Sequence, residues 1–213
     1  MINLRSAAVH HRELPHQNAA WQWLQEQLTK AELAEFAEIY RATGSGALPT
    51  PPPCSNAVEL ALPMIRYFEG FSDIAYVDPL SGGEPITIGY GTTVFPCGRP
   101  VRMGDRVTRE QAESYLRWYA DRCEAVQRDR IPTWGKMTAN QQAAILGFAF
   151  NLGANFFDSH GFATLTRNLR EANWGAVPET LLLYRNPGSS VEEGLRRRRA
   201  AEGELFATGR WQS

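Results

Sequence analysis

Three residues between positions 66 and 91 have the types that a hydrolytic site needs: Glu69, Asp78 and Thr87, set in RYFEGFSDIAYVDPLSGGEPITIGYG. Glu69 precedes Gly70 at what reads as the C-terminal end of a short helix. The helix dipole presents partial negative charge there, and Phe68 and Phe71 add apolar surroundings. Both effects disfavour an ionised carboxyl group. An acid that keeps its proton near neutrality can protonate a leaving oxygen. Asp78 follows an extended segment and opens a glycine-rich loop, where a carboxylate stays ionised. The Thr87 hydroxyl, on the next strand, can hold a water against it. Two carboxyl groups whose surroundings push their proton affinities apart can carry out glycoside hydrolysis. Each residue alone has a plain structural alternative: a solvated helix end, an Asp-Pro turn, a strand threonine. Glu59, Asp73, Glu84 and Asp105 compete for the carboxylate roles, and spacing alone does not choose among them.

The elements that must position these residues are written around them. PMIRYFEG predicts a short helix with Pro63 in its first turn and Gly70 just past its end. IAYV and PITIGYG predict two short strands joined by a loop containing Pro79, Gly82, Gly83 and Pro85. VTREQAESYLRWYADRCEAV opens with a capping box, Thr108 and Gln111, and carries Tyr115, Tyr119 and Val126 on one face. MTANQQAAILGFAFNLG opens with another, Thr138 and Gln141. It is apolar or small on every side from Ala143 to Leu152, which predicts a buried central helix stopped by Gly153. ATLTRNLREANW, AVPETLLLYRN and SVEEGLRRRRAAEGELFATG predict further helices. A small sheet early and helices late argue for an α+β fold of two lobes.

Residues 1–53 read as a separate extension, with the catalytic domain over 54–213. Trp21, Leu24 and Leu28, a capping box at Thr29 and Glu32, then Leu33, Phe36, Ala37 and Tyr40 predict a helical hairpin. SGALPTPPP predicts a stiff linker after it. The preferred reading has Trp21 packing inward; the alternative offers Trp21 and Trp23 to sugar rings as a wall-binding or partner-docking module. A net charge of −1 excludes a global basic field for nucleic acid. Cys54, Cys97 and Cys123 are too few and too widely spaced for a disulfide framework or a zinc site, and read as reduced thiols, with a bridge between two of them the alternative. The histidines lack metal-ligand spacing; water and two carboxyl groups suffice for glycoside hydrolysis, so neither metal nor organic cofactor is expected. No apolar run approaches the ~20 residues of a membrane span. MINLRSAAVHHREL lacks the apolar core of a signal peptide.

The stretch from Glu69 to Gly91 resembles the active-site segment of the phage-type lysozymes, glycoside hydrolase family 24, the endolysins of many tailed phages. The resemblance rests on Glu69-Gly70, then Asp78, then TIGYG at Thr87–Gly91. It continues in order through FNLG at Phe150–Gly153, GFATLTRNL at Gly161–Leu169, Trp174, and GLRRRRAAEGELF at Gly194–Phe206, covering about residues 57–210. It implies a lysozyme-like fold, a small antiparallel sheet lobe and a mainly helical lobe across a cleft. It implies an endolysin-type muramidase that cleaves the β-1,4 bond between N-acetylmuramic acid and N-acetylglucosamine in peptidoglycan, with inversion. Glu69 would be the general acid, with Asp78 and Thr87 managing the water. Arg198 would pair with Glu69, opposing the dipole and burial effects, and at least two of Arg196–Arg199 would lie on a solvated face. Thr93, Phe150 and Thr164 would line the cleft, with a core role the alternative for Phe150.

The expected partner is the glycan strand, met by a monomer that neither binds nucleic acid nor inserts stably in a membrane. The protein would accumulate in the cytoplasm and reach the wall through a separate pore-forming protein. Two departures stand out: the Asp78-to-Thr87 spacing is nine where the family usually has six, and Thr92 replaces a frequent histidine. A lytic transglycosylase or chitinase on the same fold, or a non-catalytic peptidoglycan-binding or virion protein, are the competing readings.

Overall fold

The computed structural model describes residues 56–77, 83 and 85–212. The predicted helical extension and linker, residues 1–53, lie outside the described residues, as does Asp78. The described chain forms six α-helices and one two-stranded antiparallel sheet.

Helix α1 spans Asn56–Glu69 and is two turns longer than Pro63 suggests. NAVELAL, ahead of the proline, buries Ala57, Val58, Ala61 and Leu62, and the stripe continues through Met64 and Ile65. That burial outweighs the lost N–H and the clash that proline brings to a helix interior. Gly70 adopts φ +67° and its N–H donates to the Arg66 carbonyl, closing the helix where predicted.

Strand β1 (Ser72–Val77) pairs antiparallel with β2 (Ile86–Gly89), matching Tyr76 to Thr87 and Val77 to Ile86. The register shifts between Ser72 and Tyr76. The other edge of β1 bonds to the 105–107 segment through Ala75 N–H to Asp105 O and Val107 N–H to Asp73 O.

Both predicted capping boxes are present: Thr108 with Gln111 opens α2 (Arg109–Arg130), and Thr138 with Gln141 opens α3 (Ala139–Leu152). Every side chain from Ala143 to Ala149 is buried, which makes α3 the core helix, and Gly153 ends it. Helix α1 meets α3 where Gly147 faces Met64; a Cβ at Gly147 would lie 2.5 Å from the Met64 methyl. A side chain there would require the Met64 methyl to move aside.

Helix α4 is Ala163–Arg170, α5 is Val177–Leu181, and α6 is Glu192–Thr208. The predicted AVPETLLLYRN helix is cut short because the chain turns at Leu182 and Leu183. Cys97 and Cys123 are free thiols. Burial pushes Cys123 up to about 11. No described helix is long and apolar enough to cross a membrane.

Candidate active site

The end of α1, the turn after β2, one wall of α2 and the C-terminal end of α3 enclose a cleft of about 450 Å³. Among the described residues that line it, Glu69 is the one carboxylate. Its side chain keeps 20% of its surface exposed. The rival carboxylates are engaged in ion pairs and do not line the cleft. Glu59 pairs with Arg117 at 2.8 Å, Asp105 with Arg99 at 2.9 Å and Asp73 with Arg106 at 3.8 Å. Glu84 lies outside the described residues.

Arg198, on α6, donates from Nη1 to Glu69 Oε1 at 2.7 Å. The arginine is itself buried, so the pair holds the carboxyl from its protein side and leaves the rest facing the cleft. Arg198 Nε donates to Glu202 Oε1 at 3.3 Å, and Nη2 reaches the Gly147 carbonyl at 3.4 Å. Arg199 Nη2 also donates to Glu202 Oε1, at 2.9 Å, and to Asn151 Oδ1 at 2.8 Å. Two arginines and two glutamates thus balance in a chain that ends on a cleft-lining asparagine.

Burial pushes Arg199 down to about 10, against the attraction of Glu202, so it stays protonated at neutral pH. Burial pushes Glu202 up, against both arginines. Arg196 and Arg197 are exposed. RRRR therefore divides into two solvated and two buried arginines.

The turn after β2 comes close to Glu69. Gly91 has φ +88°, and a Cβ there would lie 3.2 Å from Glu69 Oε2. Thr92 closes the turn, exchanging both backbone hydrogen bonds with Ile88 at 2.9 Å. A polar network braces the turn: Tyr90 Oη donates to Glu113 Oε1 at 2.8 Å and accepts from Arg109 at 3.0 Å. Glu113 also accepts from Arg66 Nε at 2.7 Å, which ties the turn to α1 three residues before Glu69. Burial, then the Glu113 carboxylate, push the Tyr90 phenol up.

Thr93 and Phe150 line the cleft, and Phe150 meets Tyr119 edge-to-face at 4.9 Å. Thr164 is not among the lining residues. It sits exposed on α4, whose inward positions are Leu165, Thr166, Asn168 and Leu169. Thr87 lies in β2, nearly buried, and does not line the cleft either.

The Tyr115 and Tyr119 face of α2, an apolar stripe by spacing, forms a cleft wall with Trp118 and Arg122. The inward stripe of α2 is Ala112, Leu116, Ala120 and Cys123. Sequence reasoning also missed Asn151 and Glu202, although FNLG and RRRRAAE contain them. Polar residues inside otherwise apolar helices were the available signal. No group of three His, Cys, Asp or Glu side chains among the described residues could hold a metal.

Residues 66–202 match the phage lysozyme family. The chain belongs to that family. It is similar to the endolysin of Bacillus phage B103, 30% identical over 161 residues, which cover 72% of this chain and 55% of that endolysin. It is equally similar to the endolysin of Acyrthosiphon pisum secondary endosymbiont phage 1, 30% identical over 152 residues, 70% of this chain and 95% of the relative. The chain therefore spans about half the first relative's length and nearly all of the second's. Its lysozyme-like fold is shared with the solved endolysin from Escherichia coli O157:H7 phage FAHEc1. The TM-score is 0.61 at 25% identity, over 74% of this chain and 94% of that one. The phage lysozyme match runs from Arg66, three residues before Glu69, to Glu202, the buried partner of Arg198.

Proposed function

We propose that the chain is a muramidase that hydrolyses the β-1,4 bond between N-acetylmuramic acid and N-acetylglucosamine in peptidoglycan. The observation that carries this reading is Glu69, one carboxyl group in a cleft, held from behind by a buried arginine in a phage lysozyme family member. In this reading Glu69 donates its proton to the leaving glycosidic oxygen. Asp78 positions the attacking water on the opposite face of the sugar, and the reaction inverts the anomeric carbon; a share for Thr87 requires its hydroxyl, buried in β2, to be reached from the cleft. Arg198 fixes the orientation of the Glu69 carboxyl. Thr93 and Phe150 border the bound glycan, with the α2 aromatics offering flat apolar faces to sugar rings. The protein acts as a monomer and reaches the wall through a pore made by another protein.

The experiment is digestion of purified peptidoglycan followed by mass spectrometry of the products. Hydrolysis leaves new reducing ends on N-acetylmuramic acid; 1,6-anhydro ends would instead identify a lytic transglycosylase. Sedimentation with walls and no cleavage would identify a binding protein.

Gly91→Ala tests the geometry of the acid. The left-handed backbone is expected to cost about 1–2 kcal/mol of stability. The added methyl would meet Glu69 Oε2. A carboxyl displaced by a fraction of an ångström is expected to lower kcat about ten- to a hundredfold. Thermal denaturation and reducing-end release measure the two effects separately.

A further inference from the structure

Among the described residues lining the cleft, Arg122 is the one cation. We propose that Arg122 is a specificity residue that binds a carboxylate of the peptide stem carried by the glycan strand, an inference that rests on the muramidase reading. Three observations point to it. Arg122 stands on the cleft-facing wall of α2, one turn beyond Trp118 and Tyr119. Its guanidinium lies 4.8 Å from the centroid of the Trp118 ring, which fixes the head group at the wall without neutralising it.

It makes no ion pair with any described residue, although acidic groups lie close by in the chain and on α1. Those groups are taken: Glu113 by Arg66, Glu124 by Arg128 and Glu59 by Arg117. Asp121 and Glu124 are its nearest acidic neighbours in sequence; Asp121 interacts with Arg117, and neither lines the cleft. The charge is therefore left facing the space the substrate enters.

The chemistry of the polymer selects the ligand. The glycan backbone of N-acetylated sugars is neutral where the lactyl carboxyl is joined to a stem as an amide. The negative charge resides on the stem peptides. A guanidinium matches a carboxylate with two parallel N–H donors, a geometry that neutral sugar hydroxyls do not reproduce. The residue therefore discriminates between strands that bear stems and strands that do not. Glu69, Arg198 and the backbone-binding surface treat both alike.

The test compares wild type with Arg122→Gln on glycan strands carrying stem peptides and on the same strands stripped by an amidase, reading KM and kcat from reducing-end release. The preference for stem-bearing strands is expected to fall about fivefold, the scale of one partly exposed ion pair, and to fall through KM rather than kcat. Arg122→Lys should recover part of it. Equal losses on both substrates, or none on either, overturn the proposal. Stripping leaves a lactyl carboxylate on the ring, so a larger loss on stripped strands would assign Arg122 to that group and also overturn it.

Failure of the muramidase reading looks different: neither protein releases ends from either substrate. Calorimetric binding of soluble disaccharide fragments with and without a stem, to wild type and Arg122→Gln, then decides the proposal without catalysis. A fragment preference that the variant loses supports it, and one that the variant keeps overturns it.

Discussion

Glu69→Gln is expected to lower reducing-end release from peptidoglycan by about 10²–10⁴-fold, the range that a positioned general acid supplies. Glutamine keeps the shape and still accepts from Arg198 Nη1, but it has no proton to give. The fold should tolerate the change. Arg198 retains Glu202 and the Gly147 carbonyl as partners but then shares that one carboxylate with Arg199, so a modest loss of stability is expected beside the loss of chemistry. A melting temperature close to that of the wild type, with activity lost, would separate chemistry from stability. The rival carboxylates supply the internal control. Asp105 bonds to Arg99 and the Arg102 N–H, which hold it below the usual carboxylate range, and it does not line the cleft. Asp105→Asn should therefore lose far less activity than Glu69→Gln. Full activity in Glu69→Gln would mean that the acid is another residue, and Asp78 and Glu84 would be the ones to test next.

The parts of this site legible in the sequence are those with a local grammar. Gly70 marks the helix end, so Glu69 can be placed at a C-terminus from two letters. The two capping boxes mark the starts of α2 and α3 in the same way. The start of α1 is not legible locally, because Pro63 is a strong first-turn signal and the burial that overrides it is tertiary. The α2 wall illustrates the same limit. Tyr115 and Tyr119 share a face by spacing, but whether that face meets the core or a cleft depends on what packs across from it. The small residues Ala112 and Ala120 take the inward side because α2 meets its neighbours closely there. The two threonines of one motif show the same limit. GFATLTRNL is present, yet its first threonine is exposed while Thr166 is buried and accepts from the Asp158 N–H.

Glu202→Ala is expected to destabilise the protein by about 3–5 kcal/mol, the cost of removing one partner from a buried ion pair. Glu202 is fully buried, and its Oε1 is the common acceptor for Arg198 and Arg199. Without it, two buried guanidinium groups adjoin with only Glu69 to balance them. Arg199 Nε and Nη1 already have no hydrogen-bond partner among the described residues, and its contact with the Phe148 ring at 4.8 Å offsets that only in part. In a chain of this size each kcal/mol moves the melting temperature by roughly 2–4 °C. The loss is therefore large enough to read by calorimetry. Glu202→Gln refines the prediction, because it keeps the shape and an acceptor but cannot titrate. Burial holds the folded-state pKa of Glu202 above its unfolded value. Folding therefore takes up a proton between those two values, and this residue's contribution to stability is lost as pH rises through that window. Asp105, Glu110, Glu192 and Glu193 are shifted downward, so their contributions run the other way and are lost as pH falls. They are common to both proteins. The difference in stability between wild type and Glu202→Gln therefore isolates Glu202, and it should shift against the wild type as pH rises above the ordinary glutamate range. A flat difference would mean that Arg198 and Arg199 hold Glu202 ionised throughout, and that the clamp behind Glu69 is a fixed ion network with no proton to exchange.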